Sequence, residues 1–74
     1  MDIYARFLKD YENGLLENDH TSYVRKYVSR KAYKGLEFEG EVSEYEGRFG
    51  KGYTVDRPNW NSRKYSFRTY YIYK

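Results

Sequence analysis

Cysteine is absent from the 74 residues, and histidine and proline occur once each, as His20 and Pro58. Without cysteine no disulfide and no thiolate zinc site can form, and the usual mark of an oxidising compartment is missing. A single histidine leaves no histidine pair for a metal ion and no histidine–thiol couple for nucleophilic catalysis. No stretch approaches the roughly 18–20 apolar residues of a membrane-spanning helix. The opening residues, Met1 to Arg6, lack the apolar centre of a secretion signal. The chain therefore reads as a cytoplasmic protein without a membrane partner.

A chain this short makes one domain, residues 1–74. Such a domain hides only about 60–65% of the surface its unfolded form exposes, so its interior is thin. What fills that interior is aromatic: eleven tyrosines, four phenylalanines and one tryptophan, more than Leu, Ile and Val together. Each ring buries roughly 150–250 Å². A small core cannot take all of them, and the rings left outside are the first functional clue.

The net charge of +3 conceals a segregated pattern. Residues 1–20 carry five acids against Arg6 and Lys9. Residues 21–36 carry Arg25, Lys26, Arg30, Lys31 and Lys34 with no acid. Residues 37–47 carry Glu37, Glu39, Glu41, Glu44 and Glu46 with no base, and residues 48–74 carry seven bases against Asp56 alone. Alternating blocks of this kind suit complementary patches better than a uniformly basic surface.

Hydrophobic spacing predicts the elements. Ile3, Tyr4, Phe7, Leu8, Tyr11 and Leu15 share one helical face, with Asp2 as N-cap. That helix ends at Asn13-Gly14 or continues through Leu15 and Leu16. A second helix, capped by Thr21 or Ser22, is expected to run to about Lys34, with Val24, Tyr27, Val28 and Ala32 inward and Gly35 as its C-terminal stop. Its competitor is a strand, since Tyr and Val favour sheets. From Leu36 the period becomes two: Leu36, Phe38, Gly40 and Val42 alternate with Glu37, Glu39, Glu41 and Ser43. A glycine-rich turn over residues 46–52 leads to a strand at Tyr53–Arg57. A turn over residues 58–62 leads to a long strand, Arg63–Tyr73, with Tyr65, Phe67, Thr69, Tyr71 and Tyr73 on one side. The expected fold class is α+β: two N-terminal helices followed by a three-stranded antiparallel β-meander.

Catalytic constellations are weak. Glu37, Glu39 and Glu41 lie about 6.6 Å apart along a strand, too far to share a metal ion readily; they read as a solvated outer face. Gly47-Arg48-Phe49-Gly50-Lys51-Gly52 lacks the Gly-Lys-Ser/Thr ending of a phosphate loop. No serine sits in a nucleophile motif. We expect no metal, no cofactor and no enzyme activity.

Binding is the better expectation, and two surfaces compete. The first is for a protein. Tyr, Trp and Arg anchor interfaces, and Glu37, Glu39, Glu41 and Glu44 with Trp60, Tyr70 and Ile72 supply an acidic strip beside exposed rings. A C-terminal edge strand bearing Tyr70 and Ile72 would also allow a homodimer. The second is for nucleic acid, through Arg25, Lys26, Arg30, Arg63, Lys64 and Arg68, either as a winged helix or as a basic, ring-bearing sheet surface. The bases answering the glutamates across the sheet is the competing explanation of those residues.

In its shortness, richness in tyrosine and lack of motifs, the chain resembles the accessory proteins of bacteriophages and other mobile elements, among them anti-CRISPR inhibitors. The resemblance covers size and composition and no residue motif. It implies an inhibitor or modulator of a host protein machine, acting by surface occlusion in the host cytoplasm.

Overall fold

In a computed structural model, which describes residues 2–29 and 38–74, the first element is the helix α1 (Ile3–Glu12). Asp2 caps it as expected, its Oδ1 accepting a hydrogen bond from the Ala5 N–H at 2.8 Å. One of the donors that every helix start leaves open is thereby satisfied. At the other end Gly14 adopts φ +72°. The Leu15 N–H donates to the Asp10 carbonyl and the Gly14 N–H to the Tyr11 carbonyl, both at 3.1 Å. These nested bonds form a Schellman cap, which needs the left-handed conformation that glycine adopts freely. Of the two ends the sequence allows, the helix takes the earlier.

Four strands follow: β1 (Leu16–Val24), β2 (Glu41–Gly47), β3 (Gly50–Pro58) and β4 (Ser66–Tyr73). They form one antiparallel sheet in the order β1-β4-β3-β2. The expected two-helix, three-strand arrangement is thus corrected to one helix and four strands. Residues 21–24, assigned above to a second helix, belong to β1; residues 25–29 are not helical; and residues 30–34 lie outside the described residues. The physical reason is pairing. The turn at Gly14 delivers Leu16 into the core, and from there the chain pairs with β4 from Leu16–Tyr73 to Val24–Ser66. A ladder of this length outweighs the weak helical pattern of Val24, Tyr27 and Val28, in a segment whose Thr, Tyr and Val suit a sheet.

A second correction concerns β4. It has β3 on one side and β1 on the other, so the C-terminal strand is no edge. The edge pairing expected to allow a homodimer through it has no free ladder to use; among the described residues the outer strands are β1 and β2.

Alternation divides the sheet into two faces. The face under α1 carries Leu16, Val42, Tyr53, Val55, Tyr71 and Tyr73. Phe7, fully buried, lies at its centre, with ring centroids 5.0–5.5 Å from Phe38, Tyr53 and Tyr71 in edge-on contacts. Edge-to-face packing of this kind adds to the burial of the rings. Two polar links tie the helix down. Asp10 accepts hydrogen bonds from Tyr53 at 2.8 Å and Tyr73 at 2.5 Å, and Arg6 pairs with Glu44 of β2. The opposite face carries His20, Tyr45, Asp56, Arg68, Tyr70 and Ile72. A bulge between Asn18 and His20 shifts the β1 register, and beyond it His20 lies on this second face.

Candidate binding surface

One end of the sheet, formed by the close of β1, the close of β3 and the start of β4, gathers exposed rings and cations. The loop joining β3 to β4 is held by its own side chains. Asn59 Oδ1 accepts from the Asn61 N–H at 3.0 Å, and Ser62 Oγ accepts from the Lys64 N–H at 3.1 Å. The Ser62 N–H also bonds the Asn59 carbonyl at 3.3 Å. Short side chains that bond two residues ahead favour tight turns, so Pro58-Asn59-Trp60-Asn61-Ser62 presents Trp60 on a set scaffold. Trp60 keeps 65% of its surface exposed.

Facing that loop is the segment after β1. Tyr27 is 61% exposed, while its neighbour Val28 is buried and anchors the segment. Between them lies a cleft of about 540 Å³, walled by Tyr27, Val28 and Ser29 on one side and residues 58–63 on the other. Alongside, on the face that carries α1, Tyr23 of β1 packs against Phe67 of β4 with ring centroids 4.8 Å apart. Arg57 of β3 pairs with Phe67 from the other side, so Tyr23, Phe67 and Arg57 form a row across three strands.

Charge at this end is sorted by one buried acid. Asp56 is fully buried. Arg68 grips it with two bonds, Nε at 2.7 Å and Nη2 at 3.0 Å, and Lys26 Nζ adds a third at 3.2 Å. Lys26 also reaches Glu41 at 3.1 Å. Burial alone would raise the Asp56 carboxyl, but the bonds from Arg68 and Lys26 outweigh it and hold the group below its usual range. Asp56 in turn keeps the Arg68 guanidinium more firmly protonated. Asp56 and Glu41 are thereby matched to Lys26 and Arg68, and Arg25, Arg57, Arg63 and Lys64 remain exposed. Among the described residues none of these four has an ion-pair partner.

The expected nucleic-acid set is therefore split. Arg25, Arg63 and Lys64 meet at this end. Lys26 and Arg68 are turned onto Asp56, and Arg30 lies outside the described residues. Arg57, Tyr23 and Tyr27 were missed by the sequence reading. The signal for Arg57 was present: it closes a strand one residue before Pro58 and alternates with Asp56.

The expected protein-binding set is dispersed. Glu37 lies outside the described residues, and Glu39 is exposed just ahead of β2. Glu41 faces Lys26, whereas Glu44 lies on the other face against Arg6, so the glutamates do not form one strip. Trp60 belongs to the cleft. Tyr70 stacks on His20 at 4.5 Å and joins Tyr45 and Phe49 in a half-covered ring cluster, and Ile72 is buried. His20 bonds Asp19 through Nδ1 at 2.6 Å. Among the described residues no group of three or more His, Cys, Asp or Glu side chains is placed to hold a metal ion.

No protein-family model, curated protein or solved structure gives a significant match to the chain.

Proposed function

We propose that the chain is a non-enzymatic binding protein that holds nucleic acid at the basic, ring-bearing end of its sheet. The observation that carries this reading is the sorting of charge around Asp56. Lys26 and Arg68 are matched there, and Arg25, Arg57, Arg63 and Lys64 are left exposed among Tyr23, Tyr27 and Trp60. Cations interleaved with flat rings suit a phosphate backbone with bases to stack. Two acids compete weakly: Glu39 is exposed nearby, and Glu41 is matched to Lys26.

The test is fluorescence anisotropy of a labelled oligonucleotide about ten nucleotides long. Four phosphate contacts give a log–log salt slope near −0.7 for each, so raising salt from about 50 to 200 mM weakens binding roughly fifty-fold. No binding at the lower salt would end this reading.

A second reading, an inhibitor or modulator of a host protein machine, keeps one observation in its favour. Tyr23, Tyr27, Trp60 and Tyr65 are all exposed, and such rings anchor protein interfaces at small entropic cost. A pull-down from bacterial lysate, repeated after nuclease treatment, separates the two. Capture of one protein that survives the nuclease favours the second.

A further inference from the structure

We infer that the cleft between residues 27–29 and residues 58–63 seats an unpaired base, so that the chain binds single strands in preference to duplex. This rests on the nucleic-acid reading above and sharpens it. The volume, about 540 Å³, lies inside the range of roughly 300–1,000 Å³ common for small-ligand sites, and a base with its sugar fits it.

The lining supplies what a base requires. Tyr27 and Trp60, both largely exposed, line it from the two segments, and Val28 and Pro58 add apolar lining. The Oδ1 of Asn59 is already engaged in holding the loop, which leaves its amide N–H groups and the whole Asn61 amide to meet the polar edge of a base. Arg63 stands at the rim, with Lys64 next along the chain, where the flanking phosphate would pass. Because the turn is fixed by its own hydrogen bonds, little ordering remains for the moment of binding.

Discrimination against duplex follows from chemistry. In a duplex the flat faces of bases are covered by their neighbours, and only edges and phosphates are available. The four exposed cations can meet either form, but the cleft can be filled only by a base that has left the stack. Sequence preference should be weak, since every base has a face to stack.

The chain holds one tryptophan among eleven tyrosines, so fluorescence excited beyond the tyrosine absorption band reports on Trp60 alone. The probes are an oligodeoxythymidylate, an abasic strand of equal length and charge, and a blunt duplex of equal length. The thymidylate should quench Trp60 and bind at least about tenfold tighter than either other probe. Trp60→Ala, followed by anisotropy, should abolish that difference while leaving the salt-dependent binding of the abasic strand. Trp60→Phe, which keeps a ring, should restore most of it. Equal, salt-dependent binding of all three probes with unchanged Trp60 fluorescence would overturn the base site and leave the nucleic-acid reading standing. No binding of any probe at low salt would overturn both.

Discussion

Asp56 and Arg68 face each other across the β3–β4 ladder, and the guanidinium grips the buried carboxylate through two nitrogens. Lys26, brought in by the segment after β1, completes the arrangement. The acid thus joins three parts of the chain.

Replacing Asp56 with Ala should be among the most damaging single changes. It removes the carboxylate that Arg68 and Lys26 share and leaves only Glu41, on Lys26, to answer them, and breaking a buried pair in this way costs about 3–5 kcal/mol. Both cations keep some exposure, so the low end is expected, about 3 kcal/mol. Urea unfolding followed by circular dichroism measures it through the midpoint; a loss within about 0.5 kcal/mol would show that the pair is idle.

Stability should fall in acid. Asp56 is held below its ordinary carboxyl value by Arg68 and Lys26 against the effect of burial. Hydrogen bonds from Tyr73 and then Tyr53 lower Asp10 in the same direction. A depressed carboxyl stabilises the folded state above its unfolded value, 3.8 for both, and loses that contribution as pH falls through the folded value. Thermal midpoints should therefore be flat from pH 7 to about pH 5 and drop below about pH 4. Asp56→Asn should drop less over the same interval. Tyr73 acts at the other extreme: its bonds to Asp10 and Tyr53 raise its phenol, so that contribution is present below pH 10 and disappears as pH climbs beyond it.

Two glycines should respond differently to the same added methyl group. A Cβ at Gly52 would lie 2.0 Å from the Tyr71 carbonyl oxygen and 2.9 Å from the Ile72 Cα, both backbone atoms of β4. Gly52→Ala should part the central ladder and prevent folding. At Gly14 nothing lies within 4 Å, and only the positive φ resists. Gly14→Ala should fold, with a loss of about 1–2 kcal/mol. Circular dichroism of the two variants distinguishes them.

Charge reversal at two places separates the ends of the sheet. Arg63→Glu with Lys64→Glu should reduce oligonucleotide affinity at least tenfold and flatten the salt slope by roughly 1.4. Arg48→Glu with Lys51→Glu, at the β2–β3 turn on the far end, should change affinity less than threefold, by reducing general attraction alone. Equal losses from both pairs would mean that net charge, and not this surface, drives binding.

Local chemistry was legible in the sequence, and distant pairing was not. Asp2 caps the helix and Gly14 ends it because both effects act within a few residues. The alternation of Phe67, Thr69, Tyr71 and Tyr73 marked one face of β4, but the strand begins at Ser66, so residues 63–65 and Tyr65 with them belong to the preceding loop. The segment after Thr21 was misread because its partner lies far along the chain: Thr21 meets Thr69, 48 residues away, and no local window contains that ladder. The split of the basic residues had the same origin. Asp56 is the lone acid among the seven bases of residues 48–74, which hinted that it would be matched internally, yet only the fold decides that Arg68 and Lys26 are the two it claims.

The central position of β4 fixes an order of assembly. Among the described residues β1 pairs with β4 and no other strand, so the first 24 residues lack that ladder until residues 66–73 have been made. On the ribosome α1 and the β2–β3 hairpin can take shape early, because their contacts are local, while β1 waits beside them with its edge open. Closure of the sheet is then a late event, and the exposed interval before it is when this tyrosine-rich chain is most at risk of joining a neighbour instead.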